Sequence, residues 1–485
     1  MTSSTPTSES VSPGRRGPVG AWLAVLAFLV VWFAPLPLEL RAHRLAAIFV
    51  AVIVLWVSEA IPIAATALLI APAMIACGVT DETAAFAPYA SPLLYLFVGG
   101  FMIARSMTRH GLDRRLALGM ASMRGIAGSA NRIRVAFAVT GMMLSMWISN
   151  TATTAILIPI FLGFAGEGET PGRARATTGG LLAIAYACSI GGLGTPVGSP
   201  PNLIAMGFLR DEGIAFEFVD WVAVGLPTAL VLTVATLLFF HWRSPAPRIE
   251  DDTAVRPAFG PLSRGERVTA LSFAIAVVGW MVPGLLKAAG HPWGAPLEAA
   301  LPGGAVALIA TVPLFLVPAR SGSSERVLPW PEAARIDWGI ILLFGGGISL
   351  GRQMFDTGLA AALARGFVDW TGVSDMWVLT GVVIVFTIFF TEVCSNTATS
   401  NMLSPLVIAI AQELEISPIP PVLGVGLAAS CAFMLPIATG PNAIAYGTGR
   451  IPQGSMIRAG FALNLICAGL LFVLLRVLTP LLGWA

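Results

Sequence analysis

The chain has 485 residues, of which 56% are hydrophobic and 11% charged, with 28 basic side chains against 26 acidic ones for a formal charge of +2. That balance excludes an ordinary water-soluble globular protein, and the near-zero net charge excludes a nucleic-acid binder. What remains is a chain dissolved in a bilayer.

Residues 1 to 18, rich in Ser, Thr and Pro, read as a disordered cytoplasmic tail. Arg15-Arg16 ahead of an apolar run suggests a twin-arginine signal, but the run is long and carries no small-residue cleavage site, so an uncleaved first span is expected. Crossing a hydrocarbon core of roughly 30 Å takes about 20 helical residues. Apolar runs cover 19 to 40, 45 to 60, 61 to 78, 91 to 108, 180 to 208, 217 to 242, 268 to 287, 299 to 318, 338 to 364, 421 to 447 and 460 to 483, predicting eleven spans in an all-α membrane protein. Two further apolar stretches, 135 to 166 and 376 to 412, are interrupted by Ser-Asn-Thr at Ser149 and again at Ser395. Each reads as a re-entrant hairpin, because backbone that leaves helical geometry at membrane depth is tolerated only where protein or a water-filled cavity satisfies it.

Basic loops stay cytoplasmic. Arg15 and Arg16, then Arg109, Arg114, Arg115, Arg124, Arg132 and Arg134, then Arg173 and Arg175, and then Arg243, Arg248, Arg256, Arg264 and Arg267 fall on one side of the eleven-span arrangement. Arg320, Arg326, Arg335, Arg450 and Arg458 follow; Arg41 and Arg44 are the exception. Asp369, Asp375, Glu413 and Glu415 flank the second hairpin and place its base outside, while the first hairpin enters from the cytoplasm. The five cysteines (Cys77, Cys188, Cys394, Cys431, Cys467) show no C-x-x-C spacing and read as small hydrophobes. His43, His110, His241 and His291 show no ligand spacing.

Three blocks recur in order. "LFVGGFMIARSMTRHGL" from Leu96 matches "LFGGGISLGRQMFDTGL" from Leu343 at an offset of 247; the Ser-Asn-Thr strings are offset by 246; "PVGSPPNLIAMG" from Pro196 matches "PIATGPNAIAYG" from Pro436 at 240. Hairpins entering from opposite sides make this an inverted repeat, an architecture that places a ligand near the midplane.

In each hairpin Ser-Asn-Thr is expected at the turn, with Ala152 onward or Ala398 onward as the second arm's first turn. Free N–H groups at such a helix start favour an anion, and Asn150, Thr151, Asn396 and Thr397 add donors. The prolines of "GSPPN" (198 to 202) and the "ATGPN" string (438 to 442) break their spans and free carbonyls, which a hard cation takes. No Lys, Arg or His lies in any of these strings, so sodium ions in the oxygen-rich niches are expected to neutralise the anion. Proton coupling through Glu59 or Glu392 is the rival arrangement; neither sits inside a tip, and structural hydrogen bonding is expected of both. Arg105 and Arg352, which follow the Gly-Gly runs, either attract anions or, as favoured here, anchor helix ends near the interface. Trp330 and Trp338 read as interfacial anchors. No H-E-x-x-H, G-x-S-x-G or nucleophile-base arrangement points to an enzyme, and hairpins meeting at a closed midplane site do not supply a channel's continuous pore.

These strings, with "EAIPIAATALL" from Glu59 and "ASCAFMLPIATGPNAIA" from Ala429, resemble the divalent anion/sodium symporter family, whose members carry succinate, citrate or sulfate, and the likeness runs from about Trp22 to the end. The resemblance implies a homodimer with scaffold parts at 19 to 134 and 268 to 370, transport parts at 135 to 242 and 371 to 485, a cytoplasmic linker at 243 to 267, and elevator-like movement in the cell's inner membrane. It implies one sodium site at Ser145, Ser149, Asn150 and Gly198 and a mate at Thr391, Cys394, Asn396 and Ala438, with backbone carbonyls serving at Gly198, Cys394 and Ala438. Substrate contacts are implied at Asn150, Thr151, Ser199, Ser395, Asn396, Thr397 and Thr439. Gly440 stands where many dicarboxylate carriers of the family have a proline, which is expected to leave room beside the pocket; Ala445 replaces a frequent valine. The expected function is sodium-driven uptake of a C4-dicarboxylate such as succinate, fumarate or malate, with a sodium-independent exchanger, or a sodium-coupled citrate or sulfate carrier, as the alternatives.

Overall fold

The computed structural model describes residues 16–121, 129–165, 170–245, 260–320 and 322–485. The tail expected over 1 to 18 lies almost wholly outside the described residues, as do much of the linker 243 to 267 and Arg124, Arg248 and Arg256. Among the described residues the structure is helical, with one isolated antiparallel bridge between Pro318 and Arg326 and no strand.

Among the described residues six helices are long and apolar enough to cross a membrane: Leu40–Ser58, Glu82–His110, Gly172–Gly194, Phe218–Arg243, Arg264–Ala288 and Gln453–Leu481. Two bent pairs raise the number to eight, Gly294–Ala300 with Gly303–Leu316 at 68° and Leu359–Thr371 with Met376–Phe390 at 99°. Several of the eleven expected spans are therefore cut differently. Runs 19 to 40 and 61 to 78 become the shorter apolar helices Pro18–Phe33 and Ile63–Ala76. Run 338 to 364 ends at Asp356, because Gly358 takes a left-handed φ of 76° and starts a new helix, Leu359–Thr371. Gly111, at φ 71°, does the same between Pro92–His110 and Leu112–Ala121. Polar residues cluster at both junctions, Arg109, His110 and Asp113 at the first and Arg352, Gln353 and Asp356 at the second, and the matched glycines mark the turns.

The repeated Gly-Gly runs are helix crossings. A β-carbon at Gly99 would meet the Ala307 backbone at 2.6 Å, and one at Gly346 would meet the Ala67 carbonyl at 2.7 Å, so each half packs one helix closely against a neighbour there. The exceptional Arg41 and Arg44 donate to the Val79 and Cys77 carbonyls at 2.8 and 3.0 Å, closing the C-terminal end of Ile63–Ala76. All five cysteines are free thiols.

The two hairpins form as expected in kind. Ala130–Ser145 and Asn150–Ala165 pack together across the break at 146 to 149, and Met376–Phe390 packs with Asn396–Glu413 across 391 to 395. Their second arms begin at Asn150 and Asn396, two residues earlier than expected. Each unwound span is two helices around a loop: Pro171–Gly191 and Pro200–Asp211 in the first half, Ile419–Ala428 and Gly440–Gly447 in the second. The later helix of each pair packs on the opposite half's hairpin, Pro200–Asp211 against Asn396–Glu413 and Gly440–Gly447 against Asn150–Ala165. At the centre lies Gly172–Gly194, whose apolar window is 94% buried against 33 to 44% for the other five spans.

Candidate functional site

Both tripeptides and both unwound loops open onto one cavity of about 840 Å³. Its wall includes Asn150, Thr151, Ser199, Ser395, Asn396, Thr397, Thr439 and Gly440, together with Ser149, Gly198, Cys394 and Ala438. Ser145 and Thr391 lie behind that wall, fully buried. Phe97, Gly100, Phe101 and Ala104 of Pro92–His110, with Ile63 and Ile340, form an apolar side facing the polar strings.

The hairpin helix that starts at Asn396 leaves its first turn open to this wall, since Ser395 does not cap it with its side chain. The loop helices do not: Pro200, Pro201 and Pro441 carry no N–H, the Asn202 N–H is bonded to the Ser199 carbonyl at 3.1 Å, and Thr439 accepts from the Asn442 N–H at 3.2 Å. At the hairpin tips free N–H groups and the positive helix end therefore face the cavity beside the amide and hydroxyl groups.

Two asparagines fix the loops. Asn202 donates through Nδ2 to the Gly192 and Thr195 carbonyls, both at 2.7 Å, and Asn442 donates through Nδ2 to the Ala432 and Leu435 carbonyls, both at 3.0 Å. In each half the partners lie ten and seven residues upstream, so one clamp is built twice. The "PN" common to both strings was the sequence signal for it. Glu392 braces the second loop from within: Oε1 accepts from the Phe433 and Met434 N–H groups at 2.7 and 2.8 Å and from Asn464 Nδ2 at 2.7 Å, and Oε2 accepts from the Leu435 N–H at 3.1 Å. Tyr186 donates to the Phe433 carbonyl at 2.7 Å, tying the central helix to the same loop. Ser199 and Ser430 pair through their hydroxyls at 2.9 Å. Asn202, Asn442 and Ser430 were not among the expected site residues.

The structural role expected of Glu392 is thus seen, and that expected of Glu59 is not. Glu59 is exposed at the cavity, at the left-handed end of Leu40–Ser58 with φ 47°, and no described residue donates a hydrogen bond to it. Arg105 and Arg352 do not line the cavity; each is paired, Arg105 with Glu332 at 2.7 Å and Arg352 with Asp211 through two contacts at 2.6 and 2.9 Å.

Two groups of oxygens flank the cavity where sodium is expected. In the first, Ser145 Oγ and Asn150 Oδ1 are buried without a hydrogen-bond partner, and the Asn150 amide packs on Gly192, near the Gly198 carbonyl. In the second, Thr391 Oγ1 lies 2.8 Å from Asn396 Oδ1 and 3.0 Å from the Ala429 carbonyl, three oxygens sharing one proton. Among the described residues there is no cluster of three His, Cys, Asp or Glu side chains able to hold a metal. Carbonyl, hydroxyl and amide oxygens in these positions suit an alkali cation, not a transition metal. The residues present fit sodium.

Charge completes the description. Among the described residues the wall carries three carboxylates, Glu59, Asp337 and Glu392, and no Lys, Arg or His. Any anion held there needs cations brought in from outside the chain.

Residues 19–485 match the family model described as the sodium:sulfate symporter transmembrane region. The chain is 33% identical over 479 residues, covering 95% of its length and 90% of the relative, to the "Sodium-dependent dicarboxylate transporter SdcS" of Staphylococcus saprophyticus. It is 34% identical over 441 residues (89% of this chain, 91% of the relative) to an uncharacterized transporter of Haemophilus influenzae. Among solved structures, the Alcanivorax borkumensis YdaH transporter aligns over 94% of this chain and 97% of its own with a TM-score of 0.57 at 16% identity, a likeness of fold.

Proposed function

The chain belongs to the sodium:sulfate symporter family of membrane transporters, and from that premise we propose that it couples sodium influx to uptake of a C4-dicarboxylate such as succinate, fumarate or malate. One observation carries the reading. A cavity shared by two anion-favouring helix starts is walled by three carboxylates and no basic side chain, so a dianion is held there only with cations alongside it. Bound sodium ions supply that compensating charge. The chain's own part is to orient the substrate: Asn150 and Thr151 with Ser199 at one end, Ser395, Asn396 and Thr397 with Thr439 at the other, each set presenting donors to one carboxylate. The sodium sites are Ser145, Ser149, Asn150 and Gly198, and Thr391, Cys394, Asn396 and Ala438, with at least one ion in each.

The same reading has eleven spans and two re-entrant hairpins in an inverted repeat, a homodimer, and an elevator motion of residues 135 to 242 and 371 to 485 against 19 to 134 and 268 to 370 in the inner membrane. The arginine pattern supports a cytoplasmic N-terminus. Glu59 and Asp337, both in the cavity wall, then sit on the cytoplasmic side. Competition of unlabelled anions against sodium-driven uptake tests the substrate class. Succinate, fumarate and malate are expected to compete at lower concentration than citrate or sulfate; stronger competition by either of the latter would displace the C4 assignment.

A further inference from the structure

A second cavity, of about 360 Å³, lies apart from the transport site where Pro171–Gly191, the C-terminal end of Phe218–Arg243 and the start of Gln453–Leu481 meet. Arg175, Arg243, Arg450 and Arg458 line it with the hydroxyl residues Thr178, Ser244 and Ser455, and among the described residues no acidic side chain does. All four arginines are exposed, and among the described residues none of them is in an ion pair. A fifth guanidinium stands behind the wall. Arg134, 3% exposed, donates to the Phe240 and Ser244 carbonyls at 2.6 and 2.7 Å. It thereby satisfies the negative end of the helix that would otherwise offset the charge of the pocket. Four unpaired arginines facing one hollow repel one another unless an anion joins them. A guanidinium fork suits phosphate oxygens above all.

Two features place that anion at a lipid surface. Trp242, next to Arg243, is 85% exposed, as an aromatic side chain at headgroup depth is. Phe461 and Leu465 follow Arg458 at positions i+3 and i+7 of the same helix, so they share its face; they are 47% and 49% exposed and continue apolar surface away from the arginine.

We propose that this basic pocket seats the phosphodiester headgroup of an anionic phospholipid, with an acyl chain lying along Phe461 and Leu465. Basic hollows between transmembrane helices bind such headgroups, and each arginine near the membrane surface contributes about a fivefold gain in affinity. On the orientation proposed above, the lipid belongs to the cytoplasmic leaflet.

Native mass spectrometry of the purified full chain with dioleoyl phosphatidylglycerol or dioleoyl phosphatidylcholine tests this. The anionic lipid is expected to be retained and the zwitterionic one released. Arg450→Gln with Arg458→Gln is expected to weaken retention of phosphatidylglycerol about 25-fold, and Arg458→Lys by far less. Should the double variant fail to fold, as judged by loss of sodium-driven succinate uptake, Arg458→Gln alone gives the same reading at about fivefold. Leu465→Gln is expected to weaken lipid retention, and millimolar inorganic phosphate to leave it unchanged. Equal retention by parent and arginine variants, equal retention of the two lipids, or displacement by inorganic phosphate overturns the proposal, the last by making the pocket a soluble-anion site.

Discussion

Gly440 lies directly against Thr151: a β-carbon at residue 440 would come within 2.8 Å of the threonine Cγ2 and 2.9 Å of its Cβ. The tip of the first hairpin and the start of the second half's unwound helix therefore touch at the cavity wall. Absence of a proline ring at this position was expected to leave room for a different anion, but Thr151 takes that room. Gly440→Ala is expected to push Thr151 from its place and raise the KM for substrate about tenfold, within the range that overpacking costs. Oγ1 of Thr151 comes nearest of all to that β-carbon, and Thr151→Ser in the same chain, without Cγ2, should let the hydroxyl turn aside and recover part of the loss; uptake kinetics of the single and double variants check both.

Asn150→Ala and Asn396→Ala each remove an amide that lines the cavity and whose oxygen belongs to a proposed cation site. Both variants are expected to insert normally and to lose sodium-driven transport, measured as uptake per inserted protein. Normal rates in both would remove these residues from the site.

The paired clamps allow a sharper separation. Asn202→Ala or Asn442→Ala frees the carbonyls that Nδ2 holds at residues 192 and 195 or 432 and 435. Each is expected to raise the sodium concentration needed for half-maximal uptake by about 25-fold, from roughly 1 kcal/mol for each of the two lost hydrogen bonds, and to change substrate affinity little at saturating sodium. An unchanged sodium dependence would make the clamps purely structural.

Glu392 is only 4% exposed and accepts four hydrogen bonds. Glu392→Gln sets amide donors against backbone donors and is expected to lower stability by about 2 kcal/mol, read as earlier thermal unfolding in detergent. A midpoint equal to the parent's would contradict the brace.

Much of the site was legible in the chain because its parts repeat. Ser-Asn-Thr, the Gly-Gly runs and the proline-asparagine strings each occur twice in order, and all three prove to be contacts or turns of the same kind in both halves. Gly358 shows where the reading fell short. A single left-handed residue ends a helix inside the run 338 to 364, where Arg352, Gln353 and Asp356 are the polar residues that marked the junction, and hydropathy does not register φ. The role of Glu59 was misjudged for a related reason: its exposure depends on where Leu40–Ser58 stops. The basic pocket was invisible because residue 175, residue 243 and the pair 450 and 458 lie on three stretches distant in sequence that meet only when the helices pack.

At the surface, Glu332 binds Arg105 at 2.7 Å and Arg335 at 2.8 Å. The Arg105 hydrogen bond, opposed in part by burial, holds its carboxyl below the usual glutamate value of 4.5. A depressed folded value means that the pair stabilises the protein fully above the unfolded value and loses that contribution as pH falls through the folded one. Parent and Glu332→Gln are thus expected to differ in thermal midpoint at pH 7 by as much as at pH 6, and to converge only below about pH 4.5. A gap that closes between pH 7 and 6 would contradict the assignment.

Sodium coupling rests on a cavity with three carboxylates and no basic side chain, and the most direct measurement is uptake of labelled succinate into proteoliposomes of the purified protein under an inward sodium gradient, with choline replacing sodium in the control. Uptake that rises steeply with external sodium and falls to background in choline is the expected result. Equal uptake in the two media would contradict it.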